Sequence, residues 1–358
     1  MMSSRPNDGS RLARASAMLV ATALAVGACG DAAAPGDFDA VQTNQAALEA
    51  LGPFAGNPAI EAMGLLTTAM PDFGAAPVAP AMPAADGMPI PENLRLLTQV
   101  APFLSPTQPA VIFPADLLGK TLVYNGSTGK YEVAPDSTTA PAIGIRLILY
   151  AVDPIFHQPI DPLTQVGYLE LTDEGTPAAD RLGAIAVVNG ITYLEYLASA
   201  VVTTSSLTFT AEGYLSDGTT QVDFSLSHTW SQVDGFHLSY AIDVPSKGVG
   251  LTVTANLDPQ SEMGTYELTV YDGGSSVVLS VQATPTSLTG SVTHGGNVVV
   301  KISGTPENPV FTDGADNPLT AEQVQALGEL FNSVGAVIDG FDDLLIPAYL
   351  VLQVSIGA

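Results

Sequence analysis

Alternation between apolar and polar residues dominates the chain from about residue 120 onward and predicts a sheet of many strands. The segment 143–152 (IGIRLILYAV) is apolar at nearly every position except Arg146, which predicts a strand covered on both faces. Asn125-Gly126 and Asn189-Gly190 are typical hairpin turns between neighbouring strands. The candidate strands of this region are 122–124, 130–133, 143–152, 166–171, 184–188 and 191–197.

Turn signals between residues 207 and 303 predict an antiparallel meander of about eight strands. A two-residue turn at Asp217-Gly218 would place Phe209 opposite Leu226. Other turns also set apolar residues against apolar residues, which supports the prediction. They place Leu268 opposite Leu279 across Gly273-Gly274, Ile242 opposite Leu251 across 245–248, Leu279 opposite Val292 across 284–287, and Leu288 opposite Ile302 across 294–296.

One face of this meander is apolar and must be covered, because each buried apolar side chain stabilises the fold by about 1.5–3 kcal/mol. A C-terminal helix can cover it: Thr320 and Gln323 form a capping box, and Gly340 is expected to end the helix. Residues 349–356 fit either a helix or a last strand. The helical stripe is Val324, Leu327, Phe331, Val334 and Ile338, and the apolar face of the sheet is Leu207, Phe209, Phe224, Leu226, Trp230, Phe236, Leu238, Tyr240, Ile242, Leu251, Val253, Leu268, Leu279 and Val300.

Short helices and a linker are predicted upstream of the sheet. Asn57-Pro58 marks a helix start, and this helix is expected to end at about Met70. Shorter helices are expected within 43–51 and 92–100. The stretch 71–91 is rich in alanine and proline, which is typical of a linker.

The N-terminus has the pattern of a secretory signal peptide. Arg5, Arg11 and Arg14 precede an uncharged apolar run at 15–26. This run is too short to span a bilayer, which requires about 20 residues. It ends in Val-Gly-Ala-Cys at 26–29, with the only cysteine of the chain.

The tetrapeptide at 26–29 resembles the lipobox of bacterial lipoprotein precursors, in which the cysteine becomes the lipid-modified first residue of the mature chain. The resemblance implies that Cys29 carries a diacylglycerol, and two or three acyl chains hold a protein on a membrane where a single chain is marginal. The resemblance also implies the outer membrane rather than the inner membrane, because Gly30, and not an aspartate, follows the cysteine. The small, acidic stretch 29–42 is then a tether.

Charge excludes one class of partner. Without residues 1–28 the chain keeps seven basic and 35 acidic residues, a net charge of −28. Such a chain does not bind nucleic acid, which requires a basic surface. With Cys29 used for lipid, no disulfide can form within the chain, so stability has to come from a packed core.

Candidate metal ligands are sparse. His157, His228, His237 and His294 form no ligand motif, and His228 and His237 are expected on opposite faces of the sheet. Asp313, Asp316 and Asn317 resemble a calcium loop only loosely, because Val324 occupies the position of the twelfth-residue carboxylate. Turn formation explains these three residues better than calcium binding.

No catalytic residue or cofactor is predicted. Glu212 and Asp223 are expected to face each other across the Asp217 hairpin, where like charges are unfavourable unless they are solvated. The segment 126–130 (GSTGK) lacks the spacing of a phosphate-binding loop and is expected to be a hairpin turn. No serine lies in a Gly-x-Ser-x-Gly elbow.

These features predict a mainly β (α+β) fold: a long antiparallel meander, in one form a half-barrel, with a C-terminal helix covering its apolar face. We expect a signal peptide at 1–28, a tether at 29–42, a helical and Pro/Ala-rich segment at 43–118, and the β domain with its helix at 119–358.

Three functions are compatible with this architecture. The preferred one is a non-enzymatic, membrane-anchored surface protein that binds a protein or a glycan. A carrier of lipid or another apolar ligand between sheet and helix is the second, by analogy with half-barrel carriers. A hydrolase that uses unrecognised acidic residues is the third. The cell envelope is the expected location, with the membrane as a partner through the lipid.

Overall fold

The computed structural model of the chain describes residues 49, 52–53, 57–70, 112–135, 139–153, 158–177, 179–203, 205–231, 233–258 and 260–352. Several sequence predictions fall outside these residues: Cys29 with its lipobox, the tether at 29–42, the linker at 71–91, the helix at 92–100, His157, and nearly all of the helix at 43–51.

The described residues form one open, mixed sheet of fifteen strands, with β2 and β15 at its two edges. Its order follows the chain from β15 back to β3 and continues with β1 and then β2. This confirms the mainly β meander, and all six strands predicted between 122 and 197 are present. The strands are β1 (Lys120–Asn125), β2 (Lys130–Val133), β3 (Gly144–Tyr150), β4 (Gln165–Asp173), β5 (Asp180–Val188), β6 (Ile191–Val202), β7 (Ser206–Ser216), β8 (Gln221–Ser231), β9 (Gly235–Val244), β10 (Val249–Asp258), β11 (Met263–Asp272), β12 (Ser275–Thr284), β13 (Ser287–His294), β14 (Asn297–Thr305) and β15 (Asn308–Asp313).

Three of the predicted hairpin registers are confirmed. In each hairpin, apolar residues of neighbouring strands lie opposite each other on the buried face. The confirmed pairs are Ile242 with Leu251, Leu268 with Leu279, and Leu279 with Val292. Glycine makes the two-residue turn between β11 and β12 possible, because Gly273 and Gly274 have φ angles of 53° and 145°.

The predicted register at the Asp217 hairpin was wrong by two residues. Leu226 lies opposite Ala211 rather than Phe209. The turn has four residues, because Oδ1 of Asp217 accepts hydrogen bonds from the backbone N–H groups of the two threonines that follow Gly218, at 2.8 and 2.7 Å. An even shift keeps each side chain on its predicted face, so the apolar face was predicted correctly.

The register predicted between β13 and β14 was also wrong. Gly290, and not Leu288, lies opposite Ile302. The turn contains two residues rather than three, and β14 has a bulge at Val299, which is buried at an extra position between the paired residues. Each of these changes shifts the register by one residue.

β1 and β3 pair in parallel, which the expectation of an antiparallel sheet missed. β2 folds back onto the outer edge of β1, so the chain returns to the other edge of β1 through a crossover connection instead of a hairpin. β3 is buried on both faces, as predicted. Its Arg146 donates a hydrogen bond from Nε to Glu170 at 2.9 Å and stacks on the Tyr168 ring at 4.3 Å.

Helices α1 (Pro58–Gly64) and α2 (Leu66–Ala69) confirm the predicted helix start at Asn57. The Asn57 side chain accepts a hydrogen bond from the Ala59 N–H at 3.0 Å. Its Nδ2 donates to the carbonyl of Ser216 at 2.7 Å. The capping residue therefore also links the start of α1 to the end of β7.

Helix α3 (Ala321–Val351) starts at the predicted capping box but does not end at Gly340. It continues through Pro347 to Val351. Residues 349–351, for which the sequence allowed either a helix or a strand, are therefore helical. Proline inside a helix costs about 3 kcal/mol or more, and burial of the last turns offsets that cost. The buried stripe is Leu327, Leu330, Val334, Val337, Phe341, Leu344, Leu345, Ala348, Tyr349 and Val351.

The predicted stripe of α3 was therefore correct only in part. Leu327 and Val334 are buried, whereas Phe331 and Ile338 are half-buried and Val324 is 51% exposed. None of the helices in the described ranges combines the length and the apolar character that a membrane-spanning segment requires.

Aromatic rings join α3 to the apolar face of the sheet. The ring centroids of Phe341 and Phe224 are 5.0 Å apart, and those of Tyr349 and Phe209 are 4.8 Å apart. Around Phe341 and Leu345, the sheet and helix side chains leave no room for a water molecule. The predicted cover is thus in direct contact with the sheet at these positions.

Gly213 brings two aromatic rings of the apolar face close together. Gly213 lies between Tyr196 and Phe224 in one inward row. A Cβ atom at Gly213 would lie 2.5 Å from the Cβ of Tyr196 and 2.1 Å from the carbonyl oxygen of Glu195. The missing side chain brings the Tyr196 and Phe224 rings to a centroid distance of 6.3 Å.

His228 lies on the apolar face among aromatic rings. Its Nε2 is 3.1 Å from the hydroxyl of Tyr240, while its Nδ1 is buried without a hydrogen-bond partner. Burial lowers the pKa of His228 to about 3, because the apolar surroundings disfavour the charged ring.

Phe341→Ala is expected to lower the free energy of unfolding by about 3–5 kcal/mol, because the cavity left against Phe224 is lined by a packed core. Val324→Ala is the matched control on the same helix, and its exposed side chain predicts a change below about 0.5 kcal/mol. Urea unfolding followed by circular dichroism measures both. Losses of equal size would contradict the packing described for Phe341.

His228→Phe is expected to make stability less sensitive to acid. In the wild-type chain the unfolded state binds a proton as the pH falls below about 6.5, whereas folded His228 stays neutral down to about pH 3. Stability is therefore lost on acidification, by up to about 2 kcal/mol between pH 7 and pH 5. The free energy of unfolding of the variant should therefore fall less between pH 7 and pH 5. Urea unfolding at the two pH values measures this difference. An unchanged difference between pH 7 and pH 5 would show that the histidine does not contribute.

Candidate binding groove on the polar face

The outward side chains of the sheet form continuous rows across the strands, because the strand registers align them. One row crosses β3 to β10, and a neighbouring row crosses β4 to β11. The first row is Gly144, Thr172, Gly183, Leu197, Glu212, Ser225, Ala241 and Thr252. The second is Glu170, Ile185, Glu195, Tyr214, Asp223, Asp243, Gly250 and Tyr271.

An open groove of about 630 Å³ lies where these rows cross β4 to β8. Its apolar part is formed by the half-buried side chains of Ile185 and Leu197. Hydroxyl groups and charged groups surround this apolar part. The outward side chains that line the groove are Thr172, Glu174, Arg181, Ile185, Glu195, Leu197, Glu212, Tyr214 and Ser225.

Gly183 forms the lowest part of the surface, because it has no side chain between its cross-strand neighbours Thr172 and Leu197. A Cβ atom there would lie 2.5 Å from Oγ1 of Thr172 and 3.4 Å from Cγ of Glu174. Both contacts are with side-chain atoms that can rotate away. A larger residue at 183 would fill the groove once the Thr172 side chain had moved.

Carboxylates dominate the electrostatics of the groove. Glu195 accepts a hydrogen bond from the hydroxyl of Tyr214 at 3.1 Å, and burial together with the Glu195 charge raises the pKa of that hydroxyl. Glu174 accepts a hydrogen bond from Thr172 at 3.1 Å. Glu212 has no hydrogen-bond or ion-pair partner among the described residues. The groove therefore presents carboxylate oxygens to solvent.

The predicted pair of Glu212 and Asp223 was wrong, because the Asp217 turn is longer than expected. Glu212 lies opposite Ser225, and Asp223 lies between Tyr214 and Asp243. The like charges that face each other are thus Asp223 and Asp243.

Polar neighbours bind both of these aspartates. Gln221 donates to Oδ1 of Asp223 at 2.5 Å, and the hydroxyl of Tyr271 donates to Oδ1 of Asp243 at 2.7 Å. Burial and the Asp243 carboxylate raise the pKa of Tyr271 to about 12. Tyr271 reaches Asp243 across Gly250, where a Cβ atom would lie 2.2 Å from the tyrosine oxygen.

In the loop at 313–317, which resembles a calcium loop, the carboxylates form hydrogen bonds and an ion pair with nearby residues. Asp313 accepts hydrogen bonds from the N–H groups of Ala315 and Asn317, both at 2.8 Å, and from Nδ2 of Asn317 at 3.0 Å. These bonds lower the pKa of Asp313, the side chain of Asn317 having the largest effect. Asp316 binds Lys301 at 2.7 Å. The three candidate ligands therefore act as turn residues in this structure.

The three histidines in the described part of the chain do not converge. As predicted, His228 lies on the apolar face and His237 on the polar face. Nδ1 of His237 is 2.6 Å from Oδ1 of Asn256. His294 ends β13. Among the residues that the structure describes, no three His, Cys, Asp or Glu side chains are grouped as metal ligands.

The segment 126–130 is a hairpin turn, as predicted, and not a phosphate-binding loop. Asn125 accepts hydrogen bonds from the backbone N–H of Ser127 at 2.9 Å and, through its carbonyl, from Gly129 at 2.8 Å. Thr128 donates to Glu132 at 2.8 Å. The turn thereby joins β1 to β2.

Sequence reasoning missed the groove. It lines up residues from five strands, and only the register places Leu197 between Gly183 and Glu212. Two features of the sequence could have indicated the groove. They are the residues at the outward positions of each alternating strand, and Gly183 within an otherwise regular strand.

Comparison of the chain with protein-family models, with curated proteins and with solved structures found no match. The fold and the groove therefore define the class of protein: an open sheet with one buried face, covered by a long helix, and with a charged groove on its other face.

Proposed function

We propose that the chain is a lipid-anchored protein of the bacterial cell envelope that binds a polar partner, a protein or a glycan, through the groove on its outward face. The anchor is supported by the sequence at 26–29, which ends an apolar run behind three arginines. Cys29 would carry the lipid and the acidic stretch behind it would serve as the tether. Gly30 favours the outer membrane.

The observation that carries the binding role is the position of the open space. The groove of about 630 Å³ lies on the polar face, whereas the space between sheet and helix beside Phe224 and Phe341 is filled. A carrier of apolar ligands needs that inner space to be open. The packing therefore favours a ligand that contacts carboxylates and hydroxyls over one that is buried beneath α3.

The lining of the groove favours binding over covalent catalysis. Its described side chains include no histidine and no cysteine. Thr172 and Ser225 provide hydroxyl groups, and that of Thr172 donates to the Glu174 carboxylate at 3.1 Å, but neither hydroxyl is bound to an imidazole, the base that usually activates a hydroxyl nucleophile. A nucleophile without such a base is weak at neutral pH.

Cys29→Ser tests the anchor. The wild-type chain, expressed in a bacterial host, is expected to incorporate a palmitate analogue and to sediment with membranes. The variant should lose the label and become soluble, because a serine hydroxyl cannot form the thioether. Ala34→Ser, in the tether, is the control and should behave as the wild type. Membrane retention of the unlabelled serine variant would contradict lipid anchoring.

Gly183→Leu tests the groove. A leucine side chain there is expected to weaken binding of a ligand by at least about tenfold, because it fills the floor of the groove. Thr252→Leu adds the same side chain to the same row, outside the groove, and should leave affinity within about twofold. The purified chain is probed on peptide and glycan arrays, with thermal unfolding as a check on the fold. The absence of binding to both arrays, or equal effects of the two variants, would count against the proposal.

A further inference from the structure

The groove combines negative charge with an apolar floor. Three glutamates and a single arginine border it, so its charged lining is net negative. Ile185 lies directly opposite Glu195, and Leu197 lies directly opposite Glu212. Each of these carboxylates is thus paired across the strands with a half-buried aliphatic side chain.

Glu195 and Glu212 are close enough to act on one group. Glu195 faces Tyr214, and Glu212 precedes Tyr214 by two positions on the same strand, so the glutamates are diagonal neighbours. Diagonal neighbours of this kind are about 7–8 Å apart at their Cα atoms. Two exposed like charges at this separation repel each other, and a cation between them would remove that repulsion.

Arg181 gives the groove a direction. It lies on β5, two positions from Gly183 and beside the end of β4. There the Arg181 carbonyl accepts a hydrogen bond from the backbone N–H of Glu174 at 2.9 Å. Glu195 and Glu212 lie on the other side of Gly183, over β6 and β7. One end of the groove is therefore close to neutral, and the end over β6 and β7 is anionic.

We propose that this anionic end binds a lysine side chain from a basic segment of a protein partner, which deepens the binding role proposed above and rests on it. The ammonium has three donors and would be shared by Glu195 and Glu212. Its four-carbon stem would lie on Ile185 and Leu197, because lysine buries its stem along apolar surface while its head stays polar. The net charge of −26 steers basic partners towards the protein.

Isothermal titration of the lipidated chain in neutral detergent tests the proposal. The probe is the peptide Gly-Ser-Lys-Ala-Lys-Ser-Gly, and the comparison peptide has norleucine in place of lysine. The lysine peptide should bind at least about tenfold more tightly than its neutral counterpart. The double variant Glu195→Gln/Glu212→Gln should lose at least about tenfold in affinity.

Glu267→Gln is the matched control for diffuse charge. Glu267 is exposed on the same face, in β11, away from the groove. This variant should keep affinity within about twofold. Equal losses in the control and in the double variant would overturn the proposal, because binding would then follow net charge alone. An unchanged affinity in the double variant would overturn it as well.

Two further measurements separate the parts of the proposal. Leu197→Ser should weaken the peptide several-fold by removing apolar floor, and no effect would overturn the placement of the lysine stem. Spermidine that binds as tightly as the peptide, with the same dependence on Glu195 and Glu212, would overturn the protein partner in favour of a free polyamine. Loss of glycan-array binding in Gly183→Leu, without any lysine dependence, would overturn this inference and leave the proposed function standing.

Discussion

Covering one apolar face of a very wide sheet is the constraint on which this structure depends. Most strands of the meander alternate, so the sheet has a continuous apolar face that must be removed from water. Helix α3 has 31 residues and is about 46 Å long, which equals the width of about nine strands. Its burial explains why the helix continues through Gly340 and Pro347, residues that would end an exposed helix.

Because the inward side chains are buried in the core, only the outward side chains shape the polar face. The same registers fix both faces, since a slip of one residue would exchange every inward residue for an outward one. The hairpin turns therefore hold the core and the groove in place together. Two outward glycines then shape the surface: Gly183 lowers the floor of the groove, and Gly250 lets Tyr271 reach Asp243.

Alternation and turn chemistry predicted most of the fold. Both faces of the meander and three hairpin registers followed from local patterns, because period two assigns each residue to a face whatever the length of the turn. The errors arose where the geometry was not local. Asp217 extends its turn through its side chain, Val299 bulges from β14, and β1 pairs with β3 through a crossover. The end of α3 was missed because burial outweighed helix-breaking residues.

The groove was harder to predict than the sheet for a related reason: its chemistry depends on which outward residues lie opposite each other across several strands. The prediction that Glu212 faces Asp223 had the right face and the wrong partner, so it missed the diagonal pair of Glu212 and Glu195 beside aliphatic side chains. In a chain of such net negative charge, this pair has a repulsion that a cation relieves and an anion increases. The acidic composition that predicts no binding to nucleic acid thus also supports the lysine site proposed for the groove.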